Sequence, residues 1–179
     1  MALGPGELTL GLPALYIAGV LVVNLLVMMG KGDPKDAAIF NFLVGFLATM
    51  TALFNWFIGG SPLFAAQALL FAFTYWWLGW NWYTGRTDAR AFGWYCLFVA
   101  INTIPFGYYT FAGGYPILGV NWIWWGLAWF MFWVILGIGK AKYFKVMLAV
   151  TWIATLLLWV SALGWLIGWF DFAKFFGFP

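Results

Sequence analysis

Gly30-Lys31-Gly32-Asp33-Pro34-Lys35 and Gly85-Arg86-Thr87-Asp88-Ala89-Arg90 are the stretches whose reading decides the fold. Both follow Gly-basic-x-Asp-x-basic, 55 positions apart. A weaker copy without the Asp, Gly139-Lys140-Ala141-Lys142, follows 54 positions later. Taken singly, each motif has a local explanation. Asp33 before Pro34 is a good N-cap with proline at the first helical position, and Asp88 can cap the next helix likewise. Lysines and arginines beside lipid phosphates are equally routine. The shared period adds a second reading, a helical hairpin used three times, as internal repeats are in transport folds. Parallel hairpins related by an axis along the membrane normal could surround a passage within one chain.

The composition around these turns points to lipid. Of 179 residues, 66% are hydrophobic and 7% are charged, and mean hydropathy is +0.96; soluble domains run at about 25% charged. Eight basic and five acidic residues cannot cover a water-facing surface. A single cysteine, Cys96, excludes a disulfide scaffold. The absence of histidine excludes histidine-dependent catalysis and a histidine pH switch. A net charge of +3 is too small and too dispersed for a nucleic-acid surface. An all-α integral membrane protein remains.

A span needs about 20 apolar residues. Charges and Gly/Pro clusters divide the chain into six such stretches, approximately Leu8–Met29, Ala37–Ile58, Pro62–Trp82, Ala91–Phe111, Pro116–Ile138 and Tyr143–Phe170. The expectation is one transmembrane domain over residues 1–179, with hairpins at 8–58, 62–111 and 116–170 and an aromatic tail at 171–179. Runs this long lack the alternation of a membrane barrel. Met1 to Glu7 lacks the positive stretch of a signal peptide, so a retained first helix is expected. Lys31, Lys35, Arg86, Arg90, Lys140, Lys142 and Lys145 all follow odd-numbered helices, and Lys174 alone falls on the other side. The positive-inside rule then places those seven in the cytoplasm and both termini outside.

By this parsing the helix interiors hold no ionisable Lys, Arg, Asp, Glu or His. Proton-coupled transporters usually keep such residues inside the membrane, and cation channels often use acidic rings. No connector is long enough to re-enter as a carbonyl filter. Anything that crosses should therefore be uncharged. Neutral polar residues do occur along the spans, among them Asn24, Asn41, Asn55, Gln67, Thr74, Asn102, Thr151 and Ser161. Their default role is hydrogen bonding between helices, at about 0.6 kcal/mol each. Asn24, Asn102 and Thr151 are the candidate polar contacts of a passage. Pro105 should free the Ile101 carbonyl and kink the fourth helix, leaving that oxygen for a permeant, for Thr103 or for water.

Aromatic residues are the second excess, with 15 Trp, 8 Tyr and 20 Phe. Interfacial belts account for many of them. In the fifth helix, Trp122, Trp125, Trp129 and Trp133 are spaced 3, 4 and 4, which stacks four indoles on one face. Such a stripe is ordinarily packing, yet a slot of rings also suits a flat, neutral, polar molecule. Phe71 and Tyr75 are neighbours at i, i+4 in the third helix. Cys96 has no histidine to activate it, and no cluster has metal-ligand spacing, so neither enzyme, cofactor nor metal is expected.

Leu70-Phe71-Ala72-Phe73-Thr74-Tyr75, Gly93-Trp94-Tyr95-Cys96-Leu97-Phe98-Val99-Ala100-Ile101-Asn102-Thr103, Val120-Asn121-Trp122 and Leu127-Ala128-Trp129-Phe130 together resemble the AmiS/UreI family of amide and urea channels. Leu15-Tyr16, Asn24, Asp33-Pro34-Lys35 and Asn41-Phe42-Leu43-Val44-Gly45 extend the likeness through the first hairpin. The resemblance implies a homohexamer in which each six-helix protomer has its own passage. It carries pore-lining positions onto Leu21, Phe71, Tyr75, Trp122, Trp129 and Trp133. One family tryptophan falls on Gly126, where the slot is wider or Trp125 fills it.

Two departures stand out. The acid-gated urea channel of the family has a long histidine-bearing loop where this chain has Gly59-Gly60-Ser61, so histidine gating is not expected. That channel's glutamate in the sixth helix is also missing, the chain reading Val150-Thr151-Trp152-Ile153. The implied function is a passive channel for urea or short aliphatic amides in a bacterial inner membrane, supplying a cytoplasmic urease or amidase. The alternative is a non-conducting scaffold or accessory subunit whose aromatics only pack.

Overall fold

A computed structural model describes residues 5–167, with side chains from Gly11 onward. It contains six long helices: α1 (Pro5–Met28), α2 (Pro34–Phe57), α3 (Pro62–Tyr83), α4 (Arg90–Ala112), α5 (Pro116–Phe132) and α6 (Phe144–Ile167). Trp133–Gly137 continues α5 as a π turn, and the 3-10 turn Ala141–Tyr143 leads into α6. The expected limit at 170, the tail 171–179 and Lys174 lie outside the described residues.

The basic turns are built from local chemistry. Gly30 (φ 77°) and Gly85 (φ 66°) take the left-handed conformation that ends a helix cheaply only at glycine. The next N–H then reaches back across the last turn, Lys31 to the Leu26 carbonyl and Arg86 to the Asn81 carbonyl, both at 2.9 Å. Asp33 accepts the Asp36 N–H at 3.0 Å, and Pro34 opens α2, as the sequence predicts. Asp88 departs from that expectation. The N-cap of α4 is Ala89, without a side-chain cap. Asp88 instead accepts the Arg90 N–H at 3.1 Å and pairs with the Arg90 guanidinium at 2.7 Å.

Around the bundle, α2 packs most closely on α3, α4 on α5 and α1 on α6, while α3 and α4 barely touch. The tightest pairs therefore join successive hairpins rather than the two arms of one hairpin. The repeat read from the turns is a unit of sequence, and its arms separate to embrace a neighbour. Small residues explain where the helices close up. A Cβ on Gly45 would press on the Trp76 ring at 3.1 Å, and one on Gly79 would meet the Phe42 ring at 2.9 Å.

Five segments, α1, α2, α3, α5 with its π turn, and α6 with its leading 3-10 turn, are long and apolar enough to cross a membrane. The remaining helix, α4, has 23 residues but is diluted by Asn102, Thr103, Pro105 and its glycines and tyrosines. Pro105 lies inside an unbroken α4, and the Thr103 hydroxyl donates to the Ala100 carbonyl at 2.7 Å, not to that of Ile101. Among the described residues, every charged side chain sits in a turn or in the first turn of a helix.

The neutral polar residues mostly serve their own helices. Thr51, Thr74, Asn102, Thr151 and Thr155 each donate to the carbonyl four residues back. Contacts that cross between helices are fewer: the reciprocal Asn24–Asn41 amide pair at 2.8 and 3.0 Å, Asn121 to Ser161, Trp76 to Thr49 and Tyr95 to the Leu70 carbonyl.

Candidate functional site

The odd-numbered helices supply most of the residues that line the two cavities within the bundle, and several of these recur at an offset of 54. Ala14, Ala68 and Trp122 form one layer, and Ile17, Phe71 and Trp125 the next. Leu21, Tyr75 and Trp129 follow, then Asn24, Leu78 and Phe132. The buried faces of the even helices recur at 55, for example Asn41, Cys96 and Thr151, or Ala48, Thr103 and Leu158. Each layer takes one residue from each repeat, which is what three copies of one hairpin around an axis require. The layers are chemically uneven, because α1 supplies small and aliphatic groups while α3 and α5 supply rings.

Two cavities lie along these layers. One, of about 40 Å³, is bordered by Pro13, Phe64, Gln67 and Leu118 at the end away from the basic turns. The other, of about 50 Å³, extends past Tyr75 and Trp129 to Met28, Phe92 and Phe132 near the basic turns. Each has room for a few water-sized molecules. Among the described residues, Phe71 and Trp125 alone border both. Their rings meet edge to face, with centroids 4.9 Å apart and planes at 86°. Phe71 also lies 4.9 Å from Trp129 and 6.0 Å from Trp122, and Trp122 lies 5.0 Å from Trp125. These four rings make a closed waist.

The walls are almost wholly apolar. The hydroxyls of Thr51, Thr74 and Thr151 are committed to backbone carbonyls, and Asn24 to Asn41. Gln67 in the first cavity and the Tyr75 hydroxyl in the second make no hydrogen bond among the described residues. The indole N–H groups of Trp122 and Trp125 are buried without an acceptor. An ion here would lose its water and meet no counter-charge, a cost of several kcal/mol. A small neutral solute with acceptors and donors loses far less. No group of three or more His, Cys, Asp or Glu that could hold a metal occurs among the described residues.

Of the residues singled out from sequence, Leu21, Phe71, Tyr75, Trp122, Trp125 and Trp129 border the cavities, with Asn24 and Thr151. Two do not. Trp133 opens the π turn, where the helix leaves its 3.6-residue period, and packs on Phe130 at 5.2 Å and Trp94 at 5.8 Å. Asn102 is half-buried on α4 and donates to the Phe98 carbonyl at 2.8 Å. Gly126 does not widen the slot either. It faces α4, and a Cβ there would overlap the Thr103 hydroxyl, while its neighbour Trp125 reaches the waist. Ile17, Gln67 and Phe132 were not singled out from sequence; applying the repeat offset to the helix 5 tryptophans would have found Ile17.

Comparison with known proteins identifies the family. The AmiS/UreI family transporter profile matches residues 9–169. A protein described as an amidate substrates transporter, from Mycolicibacterium smegmatis, is 36% identical over 134 residues, 72% of this chain and 62% of that protein's own length. The acid-activated urea channel of Helicobacter pylori (strain ATCC 700392 / 26695) is 31% identical over 153 residues, covering 67% of this chain and 78% of that one. The cryo-EM structure of the Helicobacter pylori urea channel in a closed state superposes with a TM-score of 0.79 at 29% identity, over 90% of this chain and 99% of the other. With nearly its whole length matched by one profile and its helices superposable on a solved relative, the chain is a multi-pass membrane protein that belongs to the AmiS/UreI family of transporters.

Proposed function

We propose that this protein is a passive channel for urea or short aliphatic amides, conducting through the waist of each protomer. One observation carries the reading: two apolar cavities abut across the Phe71–Trp125 contact, on the axis of a bundle whose described interior holds no charge. The solute would slide between the α3 and α5 rings, exchanging some of its water for the Tyr75 hydroxyl and the indole N–H groups. Conduction needs the Phe71 and Trp125 rings to part, a side-chain motion that fits a gradient-driven pathway without covalent chemistry.

In this proposal all six helices span a bacterial inner membrane, with the basic turns in the cytoplasm and both termini outside. Six protomers assemble as a homohexamer, and the solute is delivered to a cytoplasmic urease or amidase. Histidine plays no part in gating, since the chain has none.

Stopped-flow uptake into proteoliposomes tests the reading. Urea or acetamide should enter faster than into empty vesicles. The closed waist favours a second reading, a non-conducting scaffold, and uptake no faster than in empty vesicles by an intact assembly decides for it.

A further inference from the structure

Asn24, Asn41, Asn55, Asn102 and Asn121 each donate their amide hydrogens to a carbonyl or side chain within the bundle. Gln67 does not. It is 8% exposed, borders the cavity farther from the basic turns, and makes no hydrogen bond among the described residues. Thr51, in the same lining, spends its hydroxyl on the Leu47 carbonyl at 3.0 Å. The side chains of Pro13, Phe64 and Leu118 offer Gln67 only carbon. A buried amide left unpaired is costly, and methionine or leucine would fill the same space without that cost.

The chain itself shows how an amide in this interior is satisfied. Asn24 and Asn41 meet edge to edge, each donating to the other, at 3.0 and 2.8 Å. Such a pair needs a carbonyl oxygen and an N–H on one edge of each group. Gln67 turns that edge to a cavity of about 40 Å³ instead of to a neighbour. It also precedes Phe71 by four residues on one face of α3, about 6 Å along the axis. A solute paired there stands just before the Phe71–Trp125 contact, and the long side chain can keep hold of one edge while the other end enters between the rings.

We infer that Gln67 selects the solute by pairing edge to edge with its unsubstituted amide group. This rests on the channel reading above and names the chemical feature that is chosen. Urea and primary amides carry the oxygen and an N–H on the same side. A secondary amide does not, because its favoured isomer puts the N-substituent on that side and the N–H on the other.

Acetamide and N-methylformamide are isomers of nearly one size that differ in this edge. The test compares their uptake into proteoliposomes of wild type, Q67M and Q67L, after subtracting uptake by empty vesicles. Methionine keeps the length of glutamine and leucine much of its bulk, and neither can form the pair. Wild type should prefer acetamide. In each variant the preference should fall about fivefold, the worth of the one ordinary hydrogen bond by which the isomers differ. Each variant is read independently, on protein eluting at the wild-type size. W159F, on the exposed face of α6, should leave the preference unchanged. A wild type that conducts both isomers alike, or Gln67 variants that conduct with the wild-type preference, overturns the inference and leaves the channel standing. Failure of wild type to pass urea or acetamide overturns the channel reading beneath it.

Discussion

Gly126→Ala tests the register of α5, on which the whole waist depends. If Gly126 faces α4, then Trp122, Trp125 and Trp129 face the cavities; turn the helix and they do not. In this structure a Cβ at 126 would overlap the Thr103 hydroxyl and lie 3.2 Å from the Thr103 Cβ. Thr103 has little freedom to move, being buried with its hydroxyl bonded to the Ala100 carbonyl at 2.7 Å. Overpacking of this kind costs about 1–3 kcal/mol. Thr103→Ala removes the obstructing atoms, so the double variant G126A/T103A should be little less stable than T103A alone. The expected coupling is about 1–2 kcal/mol, read from a double-mutant cycle by equilibrium unfolding in mixed micelles. Additive effects, or a G126A protein as stable as wild type, would mean that Gly126 points elsewhere and that the proposed waist has been assembled from the wrong face.

Three further outcomes are expected. Asn41→Ala strands a buried amide on Asn24 and should cost about 1–3 kcal/mol, whereas the N24A/N41A double variant should cost less than the sum of the singles, by the same unfolding cycle. Trp129→Ala or Tyr75→Ala should change the flux or selectivity of urea and acetamide while gel filtration shows unaltered assembly; wild-type selectivity in both would remove these residues from the path. Flux should be equal within twofold at pH 7.5 and pH 5. The chain has no histidine, and the Arg90 side-chain hydrogen bond, helped by the Arg90 backbone N–H, holds the exposed Asp88 carboxyl down to about 2. A depressed carboxylate contributes above its ordinary pKa and loses that contribution only as pH falls through its lowered value, below this window. Several-fold activation on acidification would show a gate that this chemistry does not contain.

Much of the architecture was legible because charge is so scarce. Seven basic residues in three turns and in the first helical turns that follow them mark where helices meet, and Gly30, Gly85 and Asp33 act through chemistry confined to a few residues. The relative placement of helices was less legible. Nothing local in α2 and α3 announces that they pack more closely than α1 and α2; that depends on Gly45 and Gly79 meeting bulky rings from the opposite helix. The site divides along the same line. Helical spacing puts Phe71 with Tyr75, and Trp129 with the other helix 5 tryptophans, on one face each, but spacing alone reads as packing; only the family resemblance singles them out as pore-lining. Trp133 shares that spacing and is nevertheless displaced, since a π turn begins there without a sequence signature of its own. Asn102 looked available because its polarity is visible in the sequence, but its commitment to the Phe98 carbonyl is not.

The layered lining has a bearing on how such a tunnel can change. A ring of identical subunits must alter every wall at once, whereas here each wall is encoded separately. Ile17, Phe71 and Trp125 occupy equivalent places yet can be replaced one at a time. In the proposed channel the α1 side of the lining is small and aliphatic and the α3 and α5 sides carry rings, alongside Ala48, Thr51 and Thr151 from the even helices. A threefold repeat whose copies differ in their side chains would give the proposed channel unlike walls, and would leave the aliphatic side free to drift toward broader or narrower solutes without disturbing the other two.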